Sequence, residues 1–208
     1  MYKRQVQASQ WIRDYWRELA KKRSDVTVEL FNHSQWKQPS VIMTIRGSKL
    51  PQEVVVLGGH LDSIAGFWGR ANARAPGADD NASGIATISE VIRLLVDGNY
   101  VPERTIKFMG YAAEEVGLRG SKEIVEKLYK LIPQQMFAAK IQTKALGRII
   151  ASRTIPALKK NVTQHMYGGD RTRKMKLWEK QKEGKKRMKA EGTVDIPHDV
   201  FLKMVQSE

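Results

Sequence analysis

The spacing of apolar and polar positions predicts alternating helices and strands over the first 122 residues. In two segments apolar side chains recur every three or four positions with charged residues between them, as in amphipathic helices. Four other segments are short and either alternating or continuously apolar, which is typical of strands, and the two continuous runs predict strands covered on both faces. This alternation favours an α/β fold with central parallel strands. The predicted helices cover residues 7–23 and 82–95, and the predicted strands cover residues 26–31, 40–45, 53–59 and 105–113.

The pattern changes after residue 122, where it predicts a helix ending before Pro133, a hairpin around Gly147, a long helix and a short closing element. Asp170, in a Gly-Gly-Asp turn, is placed to cap the long helix, and Gly184 weakens its middle. We expect two domains, one of residues 1–122 and one of residues 123–208. The first would be an α/β sheet with helices on both faces, and the second a small α+β domain with a long basic helix. The four later elements cover residues 121–131, 137–155, 171–190 and 197–205.

The positive charge of the chain is concentrated in its C-terminal part. The whole chain has 36 Lys and Arg against 22 Asp and Glu, a formal net charge of +14. Residues 1–122 carry 17 basic against 13 acidic side chains, whereas the remaining 86 residues carry 19 against 9. A basic surface of this kind favours polyanions such as nucleic acid as partners, and a solvated, solubilising surface is the alternative.

The sequence has no cysteine and no long apolar run, which limits the possible metal ligands and the possible partners. There is no cysteine, so a protein-bound zinc ion would be held by His, Asp and Glu alone. No apolar run approaches the roughly 20 residues of a membrane-spanning helix, and the N-terminus has no apolar signal segment. The sequence therefore predicts no membrane partner and, as it stands, a cytoplasmic location.

Acidic and imidazole side chains cluster at the ends of the predicted strands. His60 and Asp62 follow the first continuous apolar run, and Asp80 lies in the loop that opens the next helix. Glu114 and Glu115 follow the second continuous run. A single histidine at a strand end is more often a hydrogen-bonded structural residue than a ligand. Here, however, the carboxylates would repel one another and a divalent cation would relieve that repulsion, so the pattern favours a metal site.

Residues 7–122 resemble the bacterial leucyl aminopeptidases that use co-catalytic zinc. The resemblance lies in the stretches GGHLDS, APGADDNASGIA and FMGYAAEEVGLRGS, which begin at residues 58, 75 and 108. It implies that this part of the chain is a partial zinc-aminopeptidase sheet. It also implies a site for two zinc ions and, as partner, the free N-terminus of a peptide substrate.

The resemblance assigns a role to each residue of the cluster. It implies that His60 is a terminal ligand of one zinc ion, that Asp80 bridges both ions, and that Glu115 is a terminal ligand of the other. Glu114 is implied to be the general base, a role that needs a carboxylate free of the metal. Asp62 is implied to orient the imidazole of His60.

The aminopeptidase pattern stops after residue 122, before the family's two remaining ligands, an Asp and a His. Each zinc ion would therefore have one protein ligand fewer here than in the family. His165 and His198 occur downstream but belong to a different pattern, and we do not expect them to replace the missing ligands. The sequence thus predicts an aminopeptidase-like fragment without peptidase activity.

Residues 125–208 resemble the C-terminal domain of the translational GTPase LepA. The matching stretches include GRIIASRTIPALKKNVTQ and YGGDRTRKMKLWEKQKEGKKRMK, which begin at residues 147 and 167. The resemblance implies contact with the ribosome, and a dense row of cations would bind RNA phosphates without reading sequence; a solvated basic helix is the alternative. No GxxxxGK[ST] phosphate-binding loop occurs, so we expect no nucleotide-driven switching within these residues. The candidate nucleic-acid-binding residues are Arg171, Arg173, Lys174, Lys176, Lys180, Lys182, Lys185, Lys186, Arg187 and Lys189.

The two resemblances meet near residues 122–128, which predicts a chimeric chain. The peptidase family is usually secreted and the LepA family intracellular, so the two halves come from families of different compartments. A natural gene fusion and an error of sequence assembly both explain such a join. Three functional classes remain open: a zinc aminopeptidase, a ribosome- or RNA-binding translation-factor module without enzymatic activity, and a composite with neither activity.

Overall fold

The N-terminal half of the chain is built on a four-stranded mixed sheet. A computed structural model describes residues 2–64, 75–145, 148–164, 171–192, 194, 196–197, 199–200 and 203. The strands of the sheet are β1 (Val26–Phe31), β2 (Ser40–Ile45), β3 (Leu50–His60) and β4 (Arg104–Tyr111), in the order β1-β2-β4-β3. The helices that pack on it are α1 (Tyr2–Ala20), α2 (Ser83–Asp97) and α3 (Arg119–Leu131).

Within this sheet β3 and β4 form the one parallel pair, which corrects the prediction of a parallel centre. The pairs β1–β2 and β2–β4 are antiparallel. Residues 32–39 form a short connection between β1 and β2, so these neighbouring strands run antiparallel. A crossover through a helix makes neighbouring strands parallel. The β3–α2–β4 unit is the crossover, so the strand ends that bear the candidate site still meet at one edge.

A core centred on Trp16 joins α1 and α2 to one face of the sheet. Trp16 is fully buried, and its indole Nε1 donates a hydrogen bond to Ser89 Oγ on α2 at 2.9 Å. Met43 of β2, Phe108 of β4 and Ile92 of α2 pack in the same cluster. The indole therefore fills the space between two helices and the sheet.

The opposite face of the sheet is covered by α3. Ile124 of α3 packs against Phe31, Ile42 and Met109, which come from three adjacent strands. Helices thus lie on both faces of the sheet, as the sequence predicts. The prediction that β4 is buried is also confirmed, since six of its eight residues are buried.

The prediction that β3 is covered on both faces is wrong. The exposed fractions of Val55, Val56 and Leu57 are 52%, 48% and 43%. β3 lies at the edge of the sheet, and its outer side pairs with no strand among the described residues. A continuous apolar run indicates that a strand suits a buried position, but it does not say which segment covers it.

A second, two-stranded sheet follows α3. Its strands β5 (Ala139–Ala145) and β6 (Arg148–Ile155) pair antiparallel, which confirms the predicted hairpin. Ile132, Ala139, Ile155 and Val200 form a small core of their own. Leu128 of α3 packs against this core and also against the core on the α3 face of the first sheet. One helix therefore belongs to both packing units.

The long basic helix α4 (Arg171–Glu191) has no buried side chain among its described residues. Gln181 Nε2 donates to the Lys160 carbonyl at 2.7 Å, and Lys185 Nζ donates to the Leu158 carbonyl. These contacts hold the C-terminal half of α4 to the segment after β6. The predicted turn at residues 168–170, both downstream histidines His165 and His198, and most of residues 197–205 lie outside the described residues.

None of the helices in the described ranges is long and apolar enough to cross a membrane.

Candidate metal centre

Parallel pairing of β3 and β4 brings the candidate ligands to one edge of the sheet. His60, the last residue of β3, is paired with Tyr111, the last residue of β4. Glu114 and Glu115 follow Tyr111 at a distance of three and four residues along the chain, and Asp62 follows His60. Because both strands end at the same edge, all of these side chains fall within a small volume.

The carboxylate of Asp62 holds the two glutamates in place through their backbone. Its Oδ1 accepts the N–H of Glu114 and its Oδ2 accepts the N–H of Glu115, both at 3.0 Å. Asp62 is only 3% exposed, so these hydrogen bonds offset the cost of burying its charge. The loop after β4 is therefore fixed by a carboxylate from the loop after β3.

The imidazole of His60 is oriented by the backbone of Asp62 and not by its carboxylate. Nδ1 lies 3.0 Å from the Asp62 carbonyl oxygen and 3.8 Å from Asp62 Oδ1. The implied orienting role of Asp62 thus takes a different form from the expected carboxylate–imidazole hydrogen bond. Because a carbonyl only accepts, Nδ1 must carry a proton in this arrangement.

The other imidazole nitrogen points at carboxylates. His60 Nε2 lies 2.8 Å from Asp80 Oδ1 and 3.9 Å from Glu114 Oε2. With the proton on Nδ1, a neutral ring would direct its Nε2 lone pair at the Asp80 carboxylate, which also only accepts. A divalent cation bound by both groups would relieve the repulsion between that lone pair and the carboxylate. The donor chemistry at this edge therefore fits a divalent cation.

A second observation supports the same fit. One donor atom from each of His60, Glu114 and Glu115 lies within 4.8 Å of the others. Burial, and then the nearby charges of Asp80, Glu114 and Asp62, raise the pKa of Glu115, while His60 opposes this shift. A bound cation would offset that repulsion, and a set of imidazole and carboxylate donors suits zinc.

Asp80 is presented by a tight turn before α2. The turn covers Ala78–Ala82, with Gly77 at a φ of 58° and a cis peptide bond between Asp80 and Asn81. Asn81 Oδ1 accepts the Gly84 N–H at 3.2 Å, at the point where α2 begins. A Cβ at Gly84 would lie 2.2 Å from that amide oxygen. Gly84 therefore allows Asn81 to fold back over the start of α2.

An apolar cleft of about 330 Å³ opens beside His60. Trp11 and Ile12 of α1, Pro76, and Ile85 of α2 are among its lining residues. Trp11 is 63% exposed although it belongs to an amphipathic helix. The cleft thus places apolar side chains next to the candidate metal donors.

A buried hydrogen-bonded network next to this site has no signature in the sequence. Ser40 Oγ lies 2.8 Å from His33 Nε2 and accepts the Ala112 N–H at 3.0 Å. His33 Nδ1 lies 3.1 Å from Glu123 Oε2, and burial lowers the pKa of His33 while Glu123 opposes that shift. The network connects α3 to the residue that follows β4. His33 and Glu123 are 90 positions apart in sequence, so no local motif could have revealed their contact.

The ten candidate nucleic-acid-binding cations all lie on α4. Eight of them are exposed, and Lys174 and Lys185 are half-exposed. The helix carries these ten cations against three glutamates, and Trp178 and Met175 are exposed between them. Its surface is therefore strongly positive with an apolar patch.

Residues 111–206 match the family model described as GTP-binding protein LepA C-terminus. The chain is 54% identical over 87 residues to Elongation factor 4 of Levilactobacillus brevis, a match that covers 42% of this chain and 14% of that protein. It is also 56% identical over 88 residues to a mitochondrial translation factor GUF1 homolog of Arabidopsis thaliana, covering 42% and 13%. The C-terminal part of the chain is LepA-like.

Two solved structures from Legionella pneumophila align with about three-fifths of the chain. LapB from Legionella pneumophila aligns with a TM-score of 0.52 and 37% identity, covering 62% of this chain and 34% of that one. The LapA aminopeptidase of Legionella pneumophila aligns with a TM-score of 0.52 and 31% identity, covering 60% and 32%. The chain thus spans less than a fifth of these translation factors and about a third of these solved structures.

Proposed function

We propose that this chain is a ribosome- or RNA-binding module of the LepA C-terminal type, joined to an aminopeptidase-like sheet that binds metal without completing a peptidase site. The observation that carries the first part is α4, a solvent-facing helix of ten cations and three glutamates. Its match to translation factors makes ribosomal RNA the natural polyanion. We assign the two units to residues 1–122 and 123–208.

Binding by α4 is electrostatic and follows from counterion release. Each phosphate that a Lys or Arg neutralises frees condensed counterions, so affinity falls steeply as salt concentration rises. Such contacts position RNA without reading its bases. The ten cations of this helix are the proposed phosphate-binding residues.

Replacing both Lys182 and Lys186 with glutamine should lower the affinity of the chain for the large ribosomal subunit. It should also make that affinity less dependent on salt. Losing two phosphate contacts reduces the slope of log K against log salt by about 1.4 to 1.8. Both side chains are exposed and lie one turn apart on α4, so the fold should be unaffected. The measurement is cosedimentation of the full chain with large subunits across a salt series.

The matched control changes Lys21 and Lys22, in the turn just after α1, to glutamine. It removes the same charge from the exposed surface of the other half. An equal loss of affinity in both variants would mean that net charge, and not α4, determines binding. An unchanged salt slope in the α4 variant would contradict the proposal outright.

The metal centre supports a second candidate function. His60, Asp80 and Glu115 would hold zinc, with Glu114 beside it as the general base of a complete peptidase site and Asp62 positioning the loop. A bound zinc ion would supply Lewis-acid polarisation of a peptide carbonyl. Two ligand positions of the family have no counterpart in the aminopeptidase-like pattern, so we propose binding of zinc without turnover.

Changing Asp80 to asparagine should weaken zinc binding at least about tenfold, whereas changing Asp79 to asparagine should have little effect. The two carboxylates are adjacent and exposed, and each variant removes one negative charge, so the pair separates coordination from general attraction. Calorimetric titration of the full chain with zinc measures the affinities. Release of a chromogenic group from a leucyl substrate by the zinc-loaded chain, with its loss in Glu114→Gln, would overturn the proposed inactivity.

A further inference from the structure

An apolar patch interrupts the cations near the start of α4. Trp178 is 53% exposed and Met175 is 48% exposed. They stand one turn apart, and Arg171 and Lys182 extend the same stripe at either end, because residues spaced by three or four share a helix face. With Lys174, the side chains of Arg171, Met175 and Trp178 line an open cleft of about 580 Å³.

The placement of this patch leaves it open to a partner. The described hydrogen bonds that hold α4 to the segment after β6 are made by Gln181, at the middle of the helix, and by Lys185, in its C-terminal half. Trp178 lies in the N-terminal half, and an indole with half of its surface in water is an energetic cost that a partner would remove. About half of the surface of Trp178 and of Met175 is therefore accessible to a partner.

The chemistry of the surroundings identifies the partner as a polyanion with flat apolar surfaces. Arg171, Lys174 and Lys182 attract phosphate groups, and the indole of Trp178 offers a platform on which a nucleobase stacks. Bases inside a duplex already stack on each other and cannot reach such a platform. Unpaired nucleotides in loops, bulges and ends can.

We propose that Trp178 stacks on an unpaired RNA base while Arg171 and Lys174 bind the phosphates on either side of it. This proposal rests on the RNA binding proposed for α4 and goes beyond it, since phosphate contacts alone would favour a duplex, which has the higher density of negative charge. α4 then prefers single-stranded or looped RNA to a duplex of the same length.

The test compares binding of the full chain to a single-stranded RNA oligonucleotide and to a duplex of equal length, by fluorescence anisotropy of labelled RNA. Trp178→Ala is expected to weaken single-strand binding by about 5- to 150-fold, the range of one stacked base. Duplex affinity should change less than about twofold, and the salt slope for the single strand should stay the same, since no phosphate contact is lost. Trp178→Phe should retain most of the affinity, and Trp11→Ala, which removes an exposed indole from α1, should change nothing.

Failure of this proposal differs from failure of RNA binding itself. If the unchanged chain binds RNA with strong salt dependence but Trp178→Ala loses nothing, or loses equally on duplex and single strand, stacking is overturned and α4 still binds RNA. If the unchanged chain binds neither RNA, both proposals fall. If polyglutamate competes for the chain and its binding shows the same loss in Trp178→Ala, the partner is an acidic polypeptide and the RNA assignment is overturned.

Discussion

Replacing Gly120 with alanine should destabilise the chain by about 3 kcal/mol, because the new methyl group has no space. A Cβ at this position would lie 2.1 Å from the carbonyl oxygen of Ala112. Gly120 is in the first turn of α3, and Ala112 is the fully buried residue that follows β4. The clash is with backbone, so it can be relieved only by moving the helix or the loop that carries Glu114.

The expected sign is opposite to what helix propensity alone would give. In a helix, alanine is favoured over glycine by about 0.5 to 1 kcal/mol, since glycine loses more backbone entropy on folding. Gly184→Ala in α4 isolates this effect, because a Cβ there would meet no neighbouring side chain or distant backbone atom within 4 Å. In urea unfolding, Gly120→Ala should therefore lower the free energy of unfolding by a large amount, and Gly184→Ala should raise it slightly.

Equal stability of the Gly120→Ala variant and the unchanged chain would mean that α3 does not approach the end of β4 as described. The same variant reports on the metal centre. Glu114 and Glu115 begin two residues after Ala112, so a displaced loop should also weaken zinc binding. A variant that is destabilised yet binds zinc normally would show that the loop and the helix move independently.

Local pattern was enough to predict much of this fold. The strands at residues 26–31 and 40–45 have the bounds predicted from their short apolar runs. The helix predicted for residues 171–190 extends in the structure to Glu191. The two strands follow their apolar runs because both pack in the cores of the sheet, whereas α4 has no buried side chain among its described residues.

The candidate metal centre could be predicted for a different reason. His60 and Glu114 are far apart in sequence, but each follows an apolar run, and a helix between two such runs makes the strands parallel neighbours. That geometry brings the two strand ends together without any knowledge of side-chain contacts. What the pattern could not give was the orientation of Asp62, whose carboxylate binds two backbone amides and not the imidazole.

The remaining differences arise where a pattern has no local signature. The apolar run at Val54–Leu57 predicts a buried strand, yet β3 lies at the edge of the sheet. The prediction failed because the sequence of a strand does not specify which segment covers it. His33, Ser40 and Glu123 meet through tertiary structure alone. Glu123 also lies just beyond the proposed domain boundary, although its carboxylate contacts the imidazole of His33 in the N-terminal half. The boundary therefore separates the two sequence resemblances, but side-chain contacts cross it.

Replacing Trp16 of α1 with alanine should lower the free energy of unfolding by about 4 kcal/mol. We expect no larger effect from any other single side chain that packs on the four-stranded sheet. Trp16 has no exposed surface, and its indole fills the space between α1, α2 and the sheet. The substitution removes that volume and also leaves Ser89 Oγ without its donor at 2.9 Å. Trp16→Phe keeps most of the apolar contact, so it should cost about 1 to 2 kcal/mol through the lost hydrogen bond and the smaller ring.

Trp11 provides the matched comparison on the same helix. It is 63% exposed, five positions before Trp16, so Trp11→Ala should change stability by less than about 1 kcal/mol. Thermal and urea unfolding of the full chain, followed by tryptophan fluorescence, would measure all three variants. If Trp16→Ala is no less stable than Trp11→Ala, the core beneath α1 is not formed. In that case the strand ends could not hold His60 and Glu114 together, because Phe108 of β4 and Leu61, the residue after His60, both pack in that core.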